Sequence, residues 1–289
     1  MSILSAIWQG IIQGLTEFLP VSSSGHLSLF QHFSGNSGEE GLVLTAVLHL
    51  GTLVAVCVVY YKEIWKLIKE FISMIKDIFT RKFSIDNASP ERRLLFMFII
   101  STAMLIPFAI FKGFFESFAE DDSILMEGIC FLYTAAILFM ADMQAKGNKK
   151  MTDLKYSDSV KIGFFQGVAL LPGVSRSGST ISAGIFCGLS RDAAVSYSFI
   201  LGIPAIIAGC ITEIAGAVTS ESSSVGFWPC FVGFIVAAVV GFLAIRLIQY
   251  IIKSDKFKIF WIYTGVLGVV VIIIAILEAI VGHPFVIGG

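Results

Sequence analysis

Six stretches of this chain, roughly 41–61, 94–113, 124–142, 191–214, 227–249 and 259–281, are apolar over a length that crosses about 30 Å of hydrocarbon as a helix. That feature restricts the fold to an all-α integral membrane protein, because a segment surrounded by lipid must satisfy its backbone polar groups within itself. Two further apolar regions, 3–33 and 159–188, are each interrupted near the middle, and no half of either is long enough to span. With 56% hydrophobic and 14% charged residues over 289 positions, little sequence is left for a soluble domain of ordinary composition. The formal net charge of -1, without a Lys/Arg stripe interleaved with aromatics, excludes nucleic acid as a partner and leaves the surrounding lipid. Met1-Ser2-Ile3-Leu4 has neither the charged start nor the cleavage site of a secretory signal, so the first apolar region is expected to stay in the mature protein. The cysteines Cys57, Cys130, Cys187, Cys210 and Cys230 are scattered in apolar sequence without CxxC spacing and read as packing groups.

The two interruptions read Leu19-Pro20-Val21-Ser22-Ser23-Ser24-Gly25-His26 and Pro172-Gly173-Val174-Ser175-Arg176-Ser177-Gly178-Ser179. Proline, glycine and serine runs inside apolar sequence predict a helix, a turn and a second helix that leaves by the face it entered, rather than a straight span. The interruptions also match one another at a constant offset of 153 positions: Gln13-Gly14 with Gln166-Gly167, Val21-Ser22 with Val174-Ser175, and Gly25 with Gly178. The expected organisation is a single membrane domain over 1–289, with a first repeat at 1–145 and a second at 146–289. Each half holds one re-entrant helical hairpin plus three transmembrane helices. An odd number of crossings inverts the second copy, which brings both broken hairpins together near the midplane.

Loop charge gives a separate reading of topology, since the side rich in Lys and Arg is cytoplasmic. Lys62, Lys66, Lys69, Lys76, Arg81, Lys82, Arg92 and Arg93 fall on one side with Lys146, Lys149, Lys150, Lys155, Lys253, Lys256 and Lys258. Glu39, Glu40, Glu116, Glu120, Asp121, Asp122, Glu213 and Glu221 fall on the other, with Lys112. Both termini are therefore expected outside. Within residues 62–80, Ile64, Leu67, Ile68, Phe71, Ile72 and Ile75 share one helical face, which predicts an interfacial helix on the cytoplasmic side or an extension of the preceding span.

Ionised groups deep in a bilayer cost about 2.5 to 3.5 kcal/mol on insertion scales and are kept where they have a partner or a task. Glu17 and Arg176 both sit at the interruptions, with His26 nearby and Gln13 one helical turn before Glu17 on the same face. Their pairing alone neutralises charge. The serines add more: Ser22 to Gly25 and Ser175 to Gly178 suit the starts of helices, so two helix N-termini would aim at one spot that attracts anions. A guanidinium at that spot grips two phosphate oxygens at once. Ser22, Ser175, Arg176, Ser177 and Gly178 are accordingly the candidate phosphate-binding residues. Glu17 with Gln13 offers oxygen ligands for a divalent cation, Mg²⁺ or Ca²⁺. Ser23 and His26, three apart at a helix start, are candidate nucleophile and base, while attack by water with Glu17 or His26 as base fits the same residues. His49, inside the third apolar region, is placed either in support of this site or as a neutral ring bonded to a neighbouring backbone carbonyl. His32 and His283 near the membrane edges carry no role, and Glu213, Arg246 and Glu278 near span ends are expected to be interfacial.

The segment from Gln13 to His26, Gln-Gly-Leu-Thr-Glu-Phe-Leu-Pro-Val-Ser-Ser-Ser-Gly-His, followed by Pro172-Gly173-Val174-Ser175-Arg176-Ser177-Gly178, resembles the undecaprenyl-diphosphate phosphatase family, also called bacitracin resistance protein. The likeness covers nearly the whole chain. It implies hydrolysis of undecaprenyl diphosphate to undecaprenyl phosphate and phosphate, which recycles the carrier lipid for peptidoglycan synthesis and gives bacitracin resistance when the enzyme is abundant. It also implies a bacterial plasma membrane, a site open to the outer face, and dependence on divalent cations. The family's functional positions fall on Gln13, Glu17, Ser23, His26 and Arg176; many members carry Glu where Gln13 stands. Expected partners are the polyprenyl diphosphate, membrane lipids and a second copy of the chain in a homodimer. Ser24-Gly25-His26 superficially resembles the Ser-Gly-His element of type-2 phosphatidic acid phosphatases, but residue 182 is Ser where that family's second signature needs His. The alternative from another class is a secondary transporter or lipid flippase, because inverted repeats with broken helices build many transporters.

Overall fold

The computed structural model describes residues 2–34, 41–83, 88–111, 113, 123–219 and 225–286. The acidic residues expected outside at Glu39, Glu40, Glu116, Glu120, Asp121, Asp122 and Glu221, together with Lys112, lie outside the described residues. In chain order the helices are α1 Ile3–Phe18, α2 Ser23–Ser34, α3 Gly41–Val59, α4 Tyr61–Phe79, α5 Pro90–Ala103, α6 Leu105–Ile110, α7 Leu125–Asp142, α8 Tyr156–Val168, α9 Arg176–Phe186, α10 Arg191–Thr219, α11 Phe227–Lys253 and α12 Lys258–Val281. Among the described residues six segments are long and apolar enough to cross a membrane: Leu42–Val59, Pro90–Ile110, Leu125–Asp142, Arg191–Val218, Phe227–Lys253 and Lys258–Val281. Val239, Leu243 and Val266 are each more than half exposed, an arrangement that hydrocarbon favours and water penalises.

Both interrupted regions are helix pairs. α1 has 16 residues and α2 12; α8 has 13 and α9 11. At 1.5 Å per residue even the longest reaches only about 24 Å, short of the hydrocarbon thickness. The second expected span is also broken, at Met104 between α5 and α6. Pro107 explains this: it has no N–H for the carbonyl of Ala103 and its ring crowds that carbonyl. By contrast α10 runs through Pro204 without ending.

α1 lies on α11, and α8 lies on α5 and α6, so the first helix of each hairpin packs against the opposite half of the chain. α3 faces α10 and α7 faces α12. The seam between α1 and α11 is built from Gly10 and Gly14 on one side and Gly233, Ala237 and Gly241 on the other, each spaced by four. A Cβ on Gly14 would come within 2.8 Å of the Ala237 carbonyl oxygen. Without side chains between them the two backbones meet directly, which fixes the height and rotation of α1 and so of everything on its last two turns.

One end of the molecule collects the basic residues. Arg191 at the start of α10 pairs with Asp142 at 2.7 Å and with Asp255 at 3.0 Å, while Lys146 pairs with Asp255 at 2.7 Å. The Lys146 hydrogen bond holds the Asp255 carboxyl below its ordinary value, with Arg191 adding to the effect. At the same end Arg92 of α5 grips Glu70 at 2.5 Å and Asp77 at 2.7 Å. That turns the polar face of α4 onto α5 and leaves Ile68, Ile72, Ile75 and Phe79 exposed, the arrangement of an interfacial helix. At the opposite end His32 of α2 meets Glu278 of α12 at 2.9 Å, and Glu278 also accepts from the Phe285 N–H.

Candidate active site

The two breaks meet and are stitched together. After α1 the chain is extended at Leu19, and Ser22 takes a positive φ of 75° to start α2. Its hydroxyl accepts from the Gly25 N–H at 3.2 Å, capping that helix. In the second break Gly173 takes the positive φ, 88°, and the Ser175 hydroxyl accepts from the Gly178 N–H at 3.0 Å. Across the junction the Gly173 N–H donates to the Ser24 hydroxyl at 3.3 Å, and the Ser177 hydroxyl donates to the Leu19 carbonyl at 3.2 Å. Ser22, Ser175 and Gly178, expected to hold phosphate, are thus engaged as caps. Among the described residues the backbone N–H groups of Arg176 and Ser177 have no acceptor, which leaves them directed out of the first turn of α9.

Glu17 is the hub. Its Oε1 accepts from Arg176 Nη2 at 2.5 Å, and its Oε2 accepts from the Ser23 hydroxyl at 2.7 Å and from Gln13 Nε2 at 3.0 Å. All of these are donors, the pattern of an ionised carboxylate. The expected approach of Glu17 and Arg176 from separate hairpins is therefore present. The pair is more than mutual neutralisation, because it forms the wall of a cavity of about 320 Å³ that also includes Ser22, Ser23, Ser24, Ser175 and Ser177. Arg176 Nη1 has only a long 3.4 Å contact to the Ser198 carbonyl, so the guanidinium retains donors for an anion entering that space.

His26 is placed differently from the expected base of Ser23. Its Nδ1 lies 2.6 Å from the Ser22 carbonyl, to which it donates, and its Nε2 accepts from the Tyr263 hydroxyl at 2.8 Å. The ring stacks on Tyr263, stands edge-on to Phe131 and does not line the cavity. The cause is helical phase: His26 is four residues after Ser22, so its side chain lies over its own helix start, on the side facing α7 and α12. Ser23, one residue after the cap, points the other way and meets Glu17.

Among the described residues the His49 ring has no backbone carbonyl as a hydrogen-bond partner. Its ring stands between two carboxylates, with Nε2 3.8 Å from Glu17 Oε2 and Nδ1 3.4 Å from Glu213 Oε2. Glu213, expected at the membrane surface, lines the cavity instead.

For a divalent cation, Gln13 is the informative residue. It is fully buried, turns Nε2 to Glu17 and leaves Oε1 without a partner. An unpartnered buried amide oxygen beside a carboxylate is the type of donor that hard cations take. Among the described residues no group of three or more His, Cys, Asp or Glu is suited to a metal. The protein side of such a site would be Gln13 and Glu17, of which Glu17 lines the cavity and Gln13 does not, and an Mg²⁺ taking one or two protein oxygens would leave its other positions to diphosphate and water.

Gly202, on α10, was not singled out in the sequence. A Cβ there would fall on the Arg176 guanidinium. The bare backbone of Gly202 is the shelf on which Arg176 lies, and a glycine inside a long helix, costing about 1 kcal/mol relative to alanine, was the available signal. Because the obstructed atoms are the end of a flexible side chain, Gly202→Ala is expected to leave thermal stability close to wild type while lowering kcat/KM by about 100-fold. Unchanged turnover in that variant would show that Arg176 reaches its position without the shelf.

Comparison with known proteins gives the family. A family model described as bacitracin resistance protein BacA matches residues 6–270. The chain is 38% identical over 281 residues to the undecaprenyl-diphosphatase of Alkaliphilus metalliredigens, covering 96% of this chain and 100% of that protein. It is 37% identical over 284 residues to the undecaprenyl-diphosphatase of Methanosphaera stadtmanae, covering 96% and 99%. It is 39% identical over 274 residues to undecaprenyl-diphosphatase 4 of Bacillus thuringiensis, covering 94% and 97%.

Proposed function

The chain belongs to the bacitracin resistance protein BacA family, and from that membership and its site we infer that it is an undecaprenyl-diphosphatase. It is a multi-pass membrane hydrolase whose substrate is a polyprenyl diphosphate and whose products are the monophosphate and inorganic phosphate. Its cellular setting is the bacterial plasma membrane, where the monophosphate returns to peptidoglycan synthesis and abundance of the enzyme gives bacitracin resistance. The observation that carries the reading is the meeting of Glu17, Ser23 and Arg176 from two separate breaks on one cavity wall.

In our mechanism the terminal phosphoryl group enters that cavity and is held by Arg176 and by the N–H groups of Arg176 and Ser177. The Ser23 hydroxyl, already directed at Glu17, passes its proton to Glu17 as Oγ forms a bond to phosphorus. The bond from phosphorus to the bridging oxygen breaks, and undecaprenyl phosphate leaves. Water then attacks phosphorus as the bond to Ser23 Oγ breaks; Glu17 returns its proton to Oγ, and the proton of the water leaves with the phosphate. Gln13 and Glu17 would hold a divalent cation, which when bound neutralises charge on the diphosphate oxygens. His26 orders the start of α2 in this scheme instead of accepting the Ser23 proton.

Topology follows from the two ends. α10 begins at Arg191 in the basic cluster, and the cavity is lined by Ala205, Ile206, Gly209 and Glu213 toward its other end. With the basic end cytoplasmic, both termini lie outside and the cavity opens outward. The paired hairpins are read as the re-entrant parts of an inverted repeat.

Detergent-solubilised protein is expected to release one phosphate per undecaprenyl diphosphate. A chelator should lower the rate by at least about tenfold, with recovery on adding Mg²⁺ or Ca²⁺. Absence of release from the solubilised protein would overturn the hydrolase reading, whereas chelator-insensitive release would remove only the cation.

A further inference from the structure

Glu213 lies on the cavity wall with Glu17, Ser23 and Arg176, and its side chain is 21% exposed. A carboxylate there repels an incoming diphosphate, so its presence needs a reason beyond solvation at a span end. Its Oε2 and His49 Nδ1 are 3.4 Å apart. Both atoms are buried and neither has a hydrogen-bond partner; their own contact is at ion-pair distance, short of hydrogen-bond alignment, and among the described residues it is the nearest polar contact of each.

A carboxylate only accepts, so the His49 nitrogen that faces it carries the hydrogen. A neutral ring then presents Nε2 as an acceptor. That nitrogen looks at Glu17 Oε2 across 3.8 Å, too far for a direct bond and with an acceptor on each side. A gap of this kind is suited to a donor that serves both acceptors, such as a water. We propose that Glu213 is a positioning residue: it fixes the tautomer and orientation of His49 so that Nε2, beside Glu17, aligns a cavity water for the hydrolytic half of the reaction. His49 comes from α3 and Glu213 from α10, which pack face to face, with the Cys210 thiol against the Ala46 carbonyl at 3.5 Å. The orientation of the ring is therefore set by two rigid spans rather than by a loop.

The inference rests on the phosphatase reading, and its test separates the two. Phosphate release by the wild-type protein in the same assay is the control; its absence overturns the reading and the inference together. With the control active, Glu213→Leu is expected to lower kcat by about 10 to 100-fold without raising KM. Glu213→Gln, which still offers an acceptor to Nδ1–H, is expected to recover kcat to within about threefold of wild type. In a His49→Ala background, Glu213→Leu should have no further effect, because a residue acting through another loses its effect when that other is removed. The chain has four histidines, so imidazole ¹⁵N spectra can be assigned by single replacements. His49 is expected to carry its hydrogen on Nδ1 in the wild type and to lose that preference in Glu213→Leu. Wild-type kcat in Glu213→Leu, equal impairment of the Gln and Leu variants, additive effects with His49→Ala, or an unchanged tautomer would each overturn the proposal.

Discussion

Replacing Arg176 with alanine is expected to lower kcat/KM for undecaprenyl diphosphate by about 1,000-fold or more. The guanidinium supplies the cationic donors aimed into the cavity, and the charge it faces grows on the phosphoryl oxygens as the anhydride breaks. Lysine keeps the charge but loses the planar fork that binds Glu17 through one arm and leaves the other for phosphate. Arg176→Lys should therefore fall between alanine and wild type, with most of its loss in kcat. Removing one member of a buried pair also strands the other, at a cost of about 3 to 5 kcal/mol. Stability of Arg176→Ala should be measured beside Arg176→Ala/Glu17→Gln, in which no stranded carboxylate remains. The double variant reports on stability alone, since Glu17→Gln removes the proton acceptor; if Arg176→Ala itself stays folded at the assay temperature and releases no phosphate, the loss belongs to chemistry. A near-normal rate in Arg176→Ala would end the assignment of its role.

Ser23→Ala carries the second large effect, and it separates two routes. If the Ser23 hydroxyl attacks phosphorus, its removal is expected to cost about 10,000-fold in kcat, since among the described residues no other hydroxyl shares its contact with Glu17. If water attacks directly, Glu17 still accepts the proton and the variant should stay within about tenfold of wild type. We expect the first outcome, because Ser23 is held at 2.7 Å from Glu17 and opens a helix whose start is fixed by the Ser22 cap. Mass spectrometry of protein quenched during turnover should find a phosphate on Ser23. An active Ser23→Ala enzyme with no phosphorylated intermediate would leave the water route.

Length and apolar pattern made the six crossings readable, and Pro, Gly and Ser inside apolar sequence made both breaks readable, because each acts through its own backbone. The convergence of Glu17 with Arg176 was likewise readable, since unpaired charge in lipid demands a partner. What escaped depended on rotation and distance. His26 looked like the partner of Ser23 by spacing, yet Tyr263, which lies 237 positions away, receives its ring. Glu213 looked interfacial because its depth along α10 was legible and its phase against α3 was not; that phase is set by packing between spans. The break at Met104 was overlooked although Pro107 announces it, since the hydropathy of the segment continues undiminished through the proline.

The cavity between the breaks, at about 320 Å³, stands at the lower end of the range for small-ligand sites, and its lining includes Leu170, Ile206 and Gly209. Such a space admits a diphosphate and little of a long isoprenoid. On the proposed substrate the tail would stay dissolved among the acyl chains while its head reacts, so that the reactants would share two solvents at once. Encounter is then confined to a plane, and the fluidity and thickness of the surrounding bilayer govern arrival at the site alongside the side chains that line it.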